Sequence, residues 1–152
     1  SIKFHAWEYV NTKVTDSNFK EKTIVFLSYE FSIMKKLFYL GNCSTCKRII
    51  THLELPRSIA QSDIKKTPLT PIDLKEMYQR AGSYEALFSR RAKLFHKRQL
   101  RSEFLDEFRY QALLLEHYSF LKRPVLIWED EIFIGSSKTT ITQAKNTIHA
   151  RD

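Results

Sequence analysis

The chain is 152 residues long, carries a formal net charge of +8, and is 43% hydrophobic and 28% charged. That is the make-up of one globular domain large enough to bury its own core without disulfide staples. It excludes a transmembrane helix, because no apolar run approaches the roughly 20 residues needed to cross a bilayer. The absence of a signal-peptide pattern at the N-terminus makes a reducing, cytoplasmic setting the expectation.

Residues 1–33 differ from the rest of the chain. They contain no Gly, Pro or Cys but carry Phe4, Trp7, Tyr9, Phe19, Phe26, Tyr29 and Phe31, too many aromatic residues for a typical disordered tail. Thr23 to Leu27 has the β-branched and aromatic character of a strand. Met34 is a natural domain start, so 1–33 reads as an N-terminal extension without an assigned role and 34–152 as the domain.

Leu37 to Leu40 is the first convincing strand. It runs into Cys43-Ser44-Thr45-Cys46, which holds the only two cysteines of the protein, at the head of a helix expected from Ser44 or Thr45 to Leu53. A Cys at a helix N-terminus meets free backbone N–H groups and the positive end of the helix dipole, which favour the thiolate. Cys46 lies one turn further along and can close a disulfide with Cys43. Cys43 is therefore the expected nucleophile with the lower pKa. Two plainer readings stand beside this one. A structural zinc needs four ligands, and His5, His52, His96, His117 and His149 offer no pair at zinc spacing, so no metal is expected. The cysteines could also be inert core residues, a common fate of free Cys.

Arg57 to Ile64 reads as a second strand introduced by Pro56. A helix then opens at Thr70, with Pro71 in its first position and Asp73 in its third, and ends near Arg80 before Gly82. After a short helix over Ser83 to Phe88 comes the basic stretch from Arg90 to Arg101, with apolar residues at Leu94, Phe95 and Leu100. It suits a partly buried segment with a solvated basic face, an anion site for a small substrate, or, least, a nucleic-acid contact. Phe104, Leu105, Phe108, Ala112, Leu115 and Tyr118 recur at helical steps and predict a long helix from Glu103 to His117 whose aromatic stripe is core. Pro124 to Trp128 and Glu131 to Ile134 make a hairpin, and Gly135-Ser136-Ser137 leads into a terminal helix from Lys138 to Ile148.

The order β-α-β, helical block, β-β-α, with CxxC at the first strand-to-helix turn, resembles a thioredoxin-like α/β fold: a mixed four-stranded sheet with a helical insertion over about 70–117. The segments LFYLGNCSTCKRI, TPLTPIDLKEMY, LFSRRAKLF and FLKRPVLIWEDEIFIG, followed by the terminal helix, resemble the arsenate-reductase family, which includes the Spx regulators. The resemblance covers Met34 to about Ile148 and leaves the extension unmatched.

The resemblance implies that Cys43 is the catalytic nucleophile, that Cys46 is its redox partner as in Spx-type members, and that Pro124 is a cis-proline beside the Cys turn. It implies further that Arg123, and either Arg90 or Arg91, bind the anionic part of the substrate. Arsenate reductases carry another Arg after the hairpin, where this chain has Gly135-Ser136-Ser137 and no cation until Lys138. Losing that charge-assisted contact, worth roughly 1.5 to 3 kcal/mol, weakens the case for arsenate itself. The implied activity is thiol oxidoreduction on a disulfide, glutathionyl or oxyanion substrate, with no bound cofactor and with glutathione or a thioredoxin or glutaredoxin as reductant. The alternative is an Spx-like redox switch that docks on RNA polymerase. Neither membrane nor nucleic-acid binding is expected.

Overall fold

The computed structural model describes residues 34–150; the N-terminal extension and its expected strand at Thr23–Leu27 lie outside them. Strand β1 (Lys35–Tyr39) leads to helix α1 (Ser44–Leu53), and β2 (Ala60–Asp63) follows. The helical block contains α2 (Pro71–Ala81), α3 (Tyr84–Leu87), α4 (Lys93–Lys97) and α5 (Glu107–Glu116), with short 3-10 turns at Leu100–Ser102 and Tyr118–Phe120. Strands β3 (Val125–Trp128) and β4 (Glu131–Ile134) and helix α6 (Lys138–His149) complete the domain.

The four strands form one mixed sheet in the order β2-β1-β3-β4. β1 is parallel to β2 and antiparallel to β3, with Leu37 opposite Gln61 on one side and Leu126 on the other. This is the thioredoxin-like α/β architecture expected from the order of elements. Because side chains alternate along a strand, neighbouring residues feed different cores. Leu37, Leu126 and Trp128 pack with Ile49 and Leu53 of α1 and Ala144 and Ile148 of α6. Phe38, Val125 and Ile127 face the other way, onto Leu74, Met77, Leu113 and Leu114 of the helical block.

Several local signals have the physical basis expected of them. Thr70 and Asp73 form a reciprocal capping box at the head of α2 with Pro71 inside it, and Gly82 (φ 80) ends the helix. Asp73 also accepts a 2.8 Å hydrogen bond from the Lys36 ammonium, which ties α2 to β1. Burial pushes the Asp73 carboxyl up, but Lys36 and Thr70 outweigh it and hold it below its ordinary value.

Two expectations need correction. β2 begins at Ala60 rather than Arg57, because Pro56 to Ile59 is a turn closed by the Ile59 amide on the Pro56 carbonyl at 3.1 Å. α5 begins at Glu107, where the Asp106 side chain caps it by accepting from the Arg109 amide at 2.8 Å. The late start puts Phe104 ahead of the helix and turns Phe108 outward, so they are 90% and 82% exposed. The buried face of α5 is Tyr110, Leu113 and Leu114.

Candidate active site

The loop between β1 and α1 is fixed from below. The Gly41 amide donates to the Asp63 carboxylate at 3.2 Å, and Asp63 lies at the end of the neighbouring strand β2. A Cβ at position 41 would collide with that carboxylate, so any larger residue would have to push the Asp63 side chain aside and disturb this hydrogen bond. The Cys43 amide then donates to the Leu40 carbonyl at 3.0 Å, and its own carbonyl accepts from Lys47 at 3.1 Å, the first bond of α1.

Cys43 is thus the N-cap of α1 and half-buried, whereas Cys46 is fully buried within the core under the helical block. Both are free thiols. Burial pushes the Cys43 thiol up, yet the opposing influences prevail and its pKa is lowered. They are the Cys46 amide, a hydrogen bond from the Cys46 side chain, the Thr45 amide and the Arg123 guanidinium. The amides do not reach the geometry of a full capping bond to the sulfur, but they point at it from the positive end of the helix. Cys46 goes the other way. Desolvation, together with the hydrogen bond to Cys43 and its charge, lifts it to about 11. Of the two sulfurs, the surroundings favour the thiolate at the first and disfavour it at the second.

The Arg123–Pro124 peptide bond is cis. Arg123 Nη1 is buried and has no hydrogen-bond partner among the described residues. Immediately before it, the chain zips onto the end of α3. Phe88 and Leu121 form an antiparallel bridge, the Ser89 amide donates to Phe120 at 2.7 Å and the Lys122 amide to Leu87 at 2.8 Å. These bonds bring two stretches some thirty residues apart in sequence to one cleft of about 440 Å³, lined among others by Cys43, Thr45, Ser89, Arg91, Arg123 and Ser136.

Of the two arginines left open by the sequence, Arg91 lines this cleft and Arg90 does not. Arg90 is held away by the Glu85 carboxylate at 2.9 Å and the Tyr110 hydroxyl at 2.6 Å. Cys43, Arg123 and Arg91 are brought together, with Cys46 directly behind. Sequence reading missed Asp63 and the Ser89 backbone. The first carries its signal only through the strand pairing that places it under Gly41, and the second only through the bridge to Leu121.

A family model described as the ArsC family matches residues 38–144. The chain belongs to the ArsC family. Among solved structures, an ArsC family related protein from Bacteroides fragilis is 18% identical with a TM-score of 0.61, covering 74% of this chain and 98% of that one. The arsenate reductase from Vibrio cholerae is 16% identical with a TM-score of 0.59, over 77% and 96%. An arsenate reductase (ArsC) related protein from Brucella melitensis is 25% identical with a TM-score of 0.56, over 74% and 94%. No curated protein matches the chain. The ArsC match spans the cysteine turn, the helical block and the hairpin, and begins at Phe38 within β1. Among the described residues no helix is long and apolar enough to cross a membrane.

Proposed function

We propose that this ArsC-family chain is a cytoplasmic thiol oxidoreductase of arsenate-reductase type in which Cys43 is the nucleophile and Cys46 the resolving thiol. The observation that carries the reading is the cleft itself. A half-buried Cys43 with a lowered pKa stands on a helix N-terminus beside an Arg123 guanidinium with an unpartnered nitrogen, and the fully buried Cys46 lies one turn behind.

On a disulfide substrate, the Cys43 thiolate attacks one sulfur and forms a mixed disulfide, and the other sulfur leaves as a thiolate that takes up a proton. Cys46 then loses its proton and attacks the Cys43 sulfur, closing Cys43–Cys46 and releasing the second thiol. The protein dithiol is oxidised by two electrons and the substrate disulfide reduced by two. Glutathione, or a thioredoxin or glutaredoxin, would return the pair to the dithiol. Arg123 and Arg91 would hold an anionic substrate, and Arg123 also supports the thiolate. Among the described residues the cleft is lined by two guanidiniums, Arg91 and Arg123, and by Lys122, whose ammonium donates to the Ala86 carbonyl, so a disulfide or glutathionyl substrate suits it better than arsenate.

Iodoacetamide at about pH 7 should alkylate Cys43 first, as expected of an activated thiol. A Cys46→Ser variant should keep that reactivity and accumulate the mixed disulfide, visible by mass spectrometry. Preferential labelling of Cys46, or an unreactive Cys43 in the native protein, would overturn the assignment.

A further inference from the structure

Leu40 stands between the two cysteines. Its carbonyl accepts the Cys43 amide at 3.0 Å, and its own amide donates towards the Cys46 sulfur. A shift of the turn from Leu40 to Cys43 therefore changes how the two sulfurs face each other.

The next residue ties that turn to the edge of the sheet. The Gly41 amide reaches Asp63 Oδ1 at 3.2 Å, and β2, which Asp63 ends, is an outer strand. Asp63 is itself firmly held and half-buried. It lies opposite Tyr39 in the parallel register, and the Ile64 amide donates to the Tyr39 carbonyl at 2.9 Å. The Lys65 amide donates to the same Oδ1 at 3.2 Å, and the Asp63 carbonyl accepts from the Thr67 amide at 2.8 Å. An acceptor fixed on so many sides has little freedom to follow the turn, so the turn follows the acceptor. Among the described residues no cation pairs with this carboxylate, which is engaged by backbone amides instead.

We propose that Asp63 is a positioning residue for disulfide closure: through the Gly41 amide it holds the turn that aims Cys46 at the Cys43 sulfur. This rests on Cys43 being the reacting thiol and Cys46 the resolving one. In the closing step Cys46 loses its proton and attacks the Cys43 sulfur of the mixed disulfide. The Cys43–Cys46 bond forms, the bond to the outer sulfur breaks, and that sulfur leaves as a thiolate that takes up a proton. Such an attack tolerates little misplacement, since an error of about 1 Å can cost on the order of a hundredfold in rate. What closure needs from Asp63 is an acceptor oxygen rather than a charge, because a negative charge here opposes the Cys43 thiolate.

The test follows closure directly, with the reduced full-length protein and substoichiometric dipyridyl disulfide, a neutral chromogenic reagent. The wild type should release pyridinethione in two phases. The first, attack by Cys43, depends on protein concentration; the second, closure by Cys46, does not, and Cys46→Ser should abolish it. Asp63→Ala should slow the second phase about tenfold and the first by less than about threefold. Asp63→Asn, whose amide oxygen accepts the same bond, should keep both rates within about twofold of the wild type. Gly41→Ala, which displaces the carboxylate from the other side, should slow closure as Asp63→Ala does. The double variant should be no slower than either, because the two changes remove one contact.

Wild-type closure in Asp63→Ala and Gly41→Ala overturns the proposal, and a lowered thermal midpoint beside it would assign Asp63 to stability alone. Equal slowing of both phases, or an Asp63→Asn variant as slow as Asp63→Ala, overturns it as well, the latter by shifting the role to charge. If Asp63→Ala does not fold, Gly41→Ala against Asp63→Asn carries the same decision. A wild type that lacks either phase overturns the thiol assignments themselves, a result that needs no variant.

Discussion

The outer surface of the helical block and the face around Cys43 both carry many cations, but they use them differently. In the block the exposed arginines Arg90, Arg98 and Arg109 are paired with Glu85, Glu116 and Glu103, and the buried Arg80 bridges Glu76 and the Glu129 carbonyl, while Lys75, Lys93, Lys97 and Arg101 have no acidic partner among the described residues. Around the cleft and the groove that adjoins it between α1 and α6, Arg91, Arg123, Arg48 and Lys138 have no acidic partner among the described residues. The net charge of +8 is therefore a poor guide to a binding surface. What matters is where the cations lack counter-charges, because only those can neutralise a ligand without first breaking a contact.

The contrast breaks most visibly at Arg123. Replacing it with Ala should slow alkylation of Cys43 by about three- to tenfold near neutral pH, since a nearby positive charge is lost from the thiolate. Arg123→Lys should recover most of the alkylation rate while still impairing turnover of an anionic substrate that the planar fork grips. If rate–pH profiles of both variants overlay the wild type, the arginine has no hold on the sulfur.

A smaller contrast separates neighbours. Arg91→Ala should raise the KM for an anionic disulfide several-fold, whereas Arg90→Ala should leave kcat and KM alone and only lower the thermal midpoint slightly. Equal kinetic effects at the two positions would erase the distinction between the cleft and the block. Among the paired arginines, Arg98→Ala should cost at most about 1 kcal/mol in urea unfolding, as expected of an exposed ion pair with some ring contact.

The smallest effect lies at Asp73. Its carboxyl is held below its ordinary value in the folded state, so the unfolded chain takes up the proton more readily. The stabilisation is fully present above the ordinary carboxylate pKa of about 4 and is lost as pH falls through the lower folded value. Asp73→Asn should flatten the acid limb of the stability profile, and an unaltered limb would show that Lys36 and Thr70 do little for the carboxylate.

Much of this could be read in the chain because its signals are local. Thr70, Pro71 and Asp73 carry the cap of α2 within four residues, and Cys43 announces itself by the strand before it and the helix after. The misreadings come from places where long-range contacts decide. β2, with the sequence Ala-Gln-Ser-Asp, has little apolar character and exists because β1 pairs with it. The stripe Phe104-Phe108-Ala112 has helical spacing, but Asp106 sets the start of α5 and the packing turns Tyr110, Leu113 and Leu114 inward. The choice between Arg90 and Arg91 was equally beyond local signals. It depends on Tyr110, twenty residues downstream, accepting one guanidinium, and on the Phe88–Leu121 bridge delivering the other.

In the proposed chemistry the mutual influence of the two sulfurs would also favour an order of events. Cys46 is lifted to about 11 in part by the charge and hydrogen bonding of Cys43. That contribution exists only while Cys43 is an anion. Once the first sulfur is capped, by a thiol or as a sulfenic acid, the repulsion vanishes. Arg123, which lowers both thiols, then acts on the second alone. In the proposed chemistry, modification of Cys43 would therefore ease part of the hold on Cys46, while desolvation of the buried sulfur, the larger cause, would stay. Such an interlock would intercept a sulfenic acid before a second oxidant could carry it to the irreversible acids.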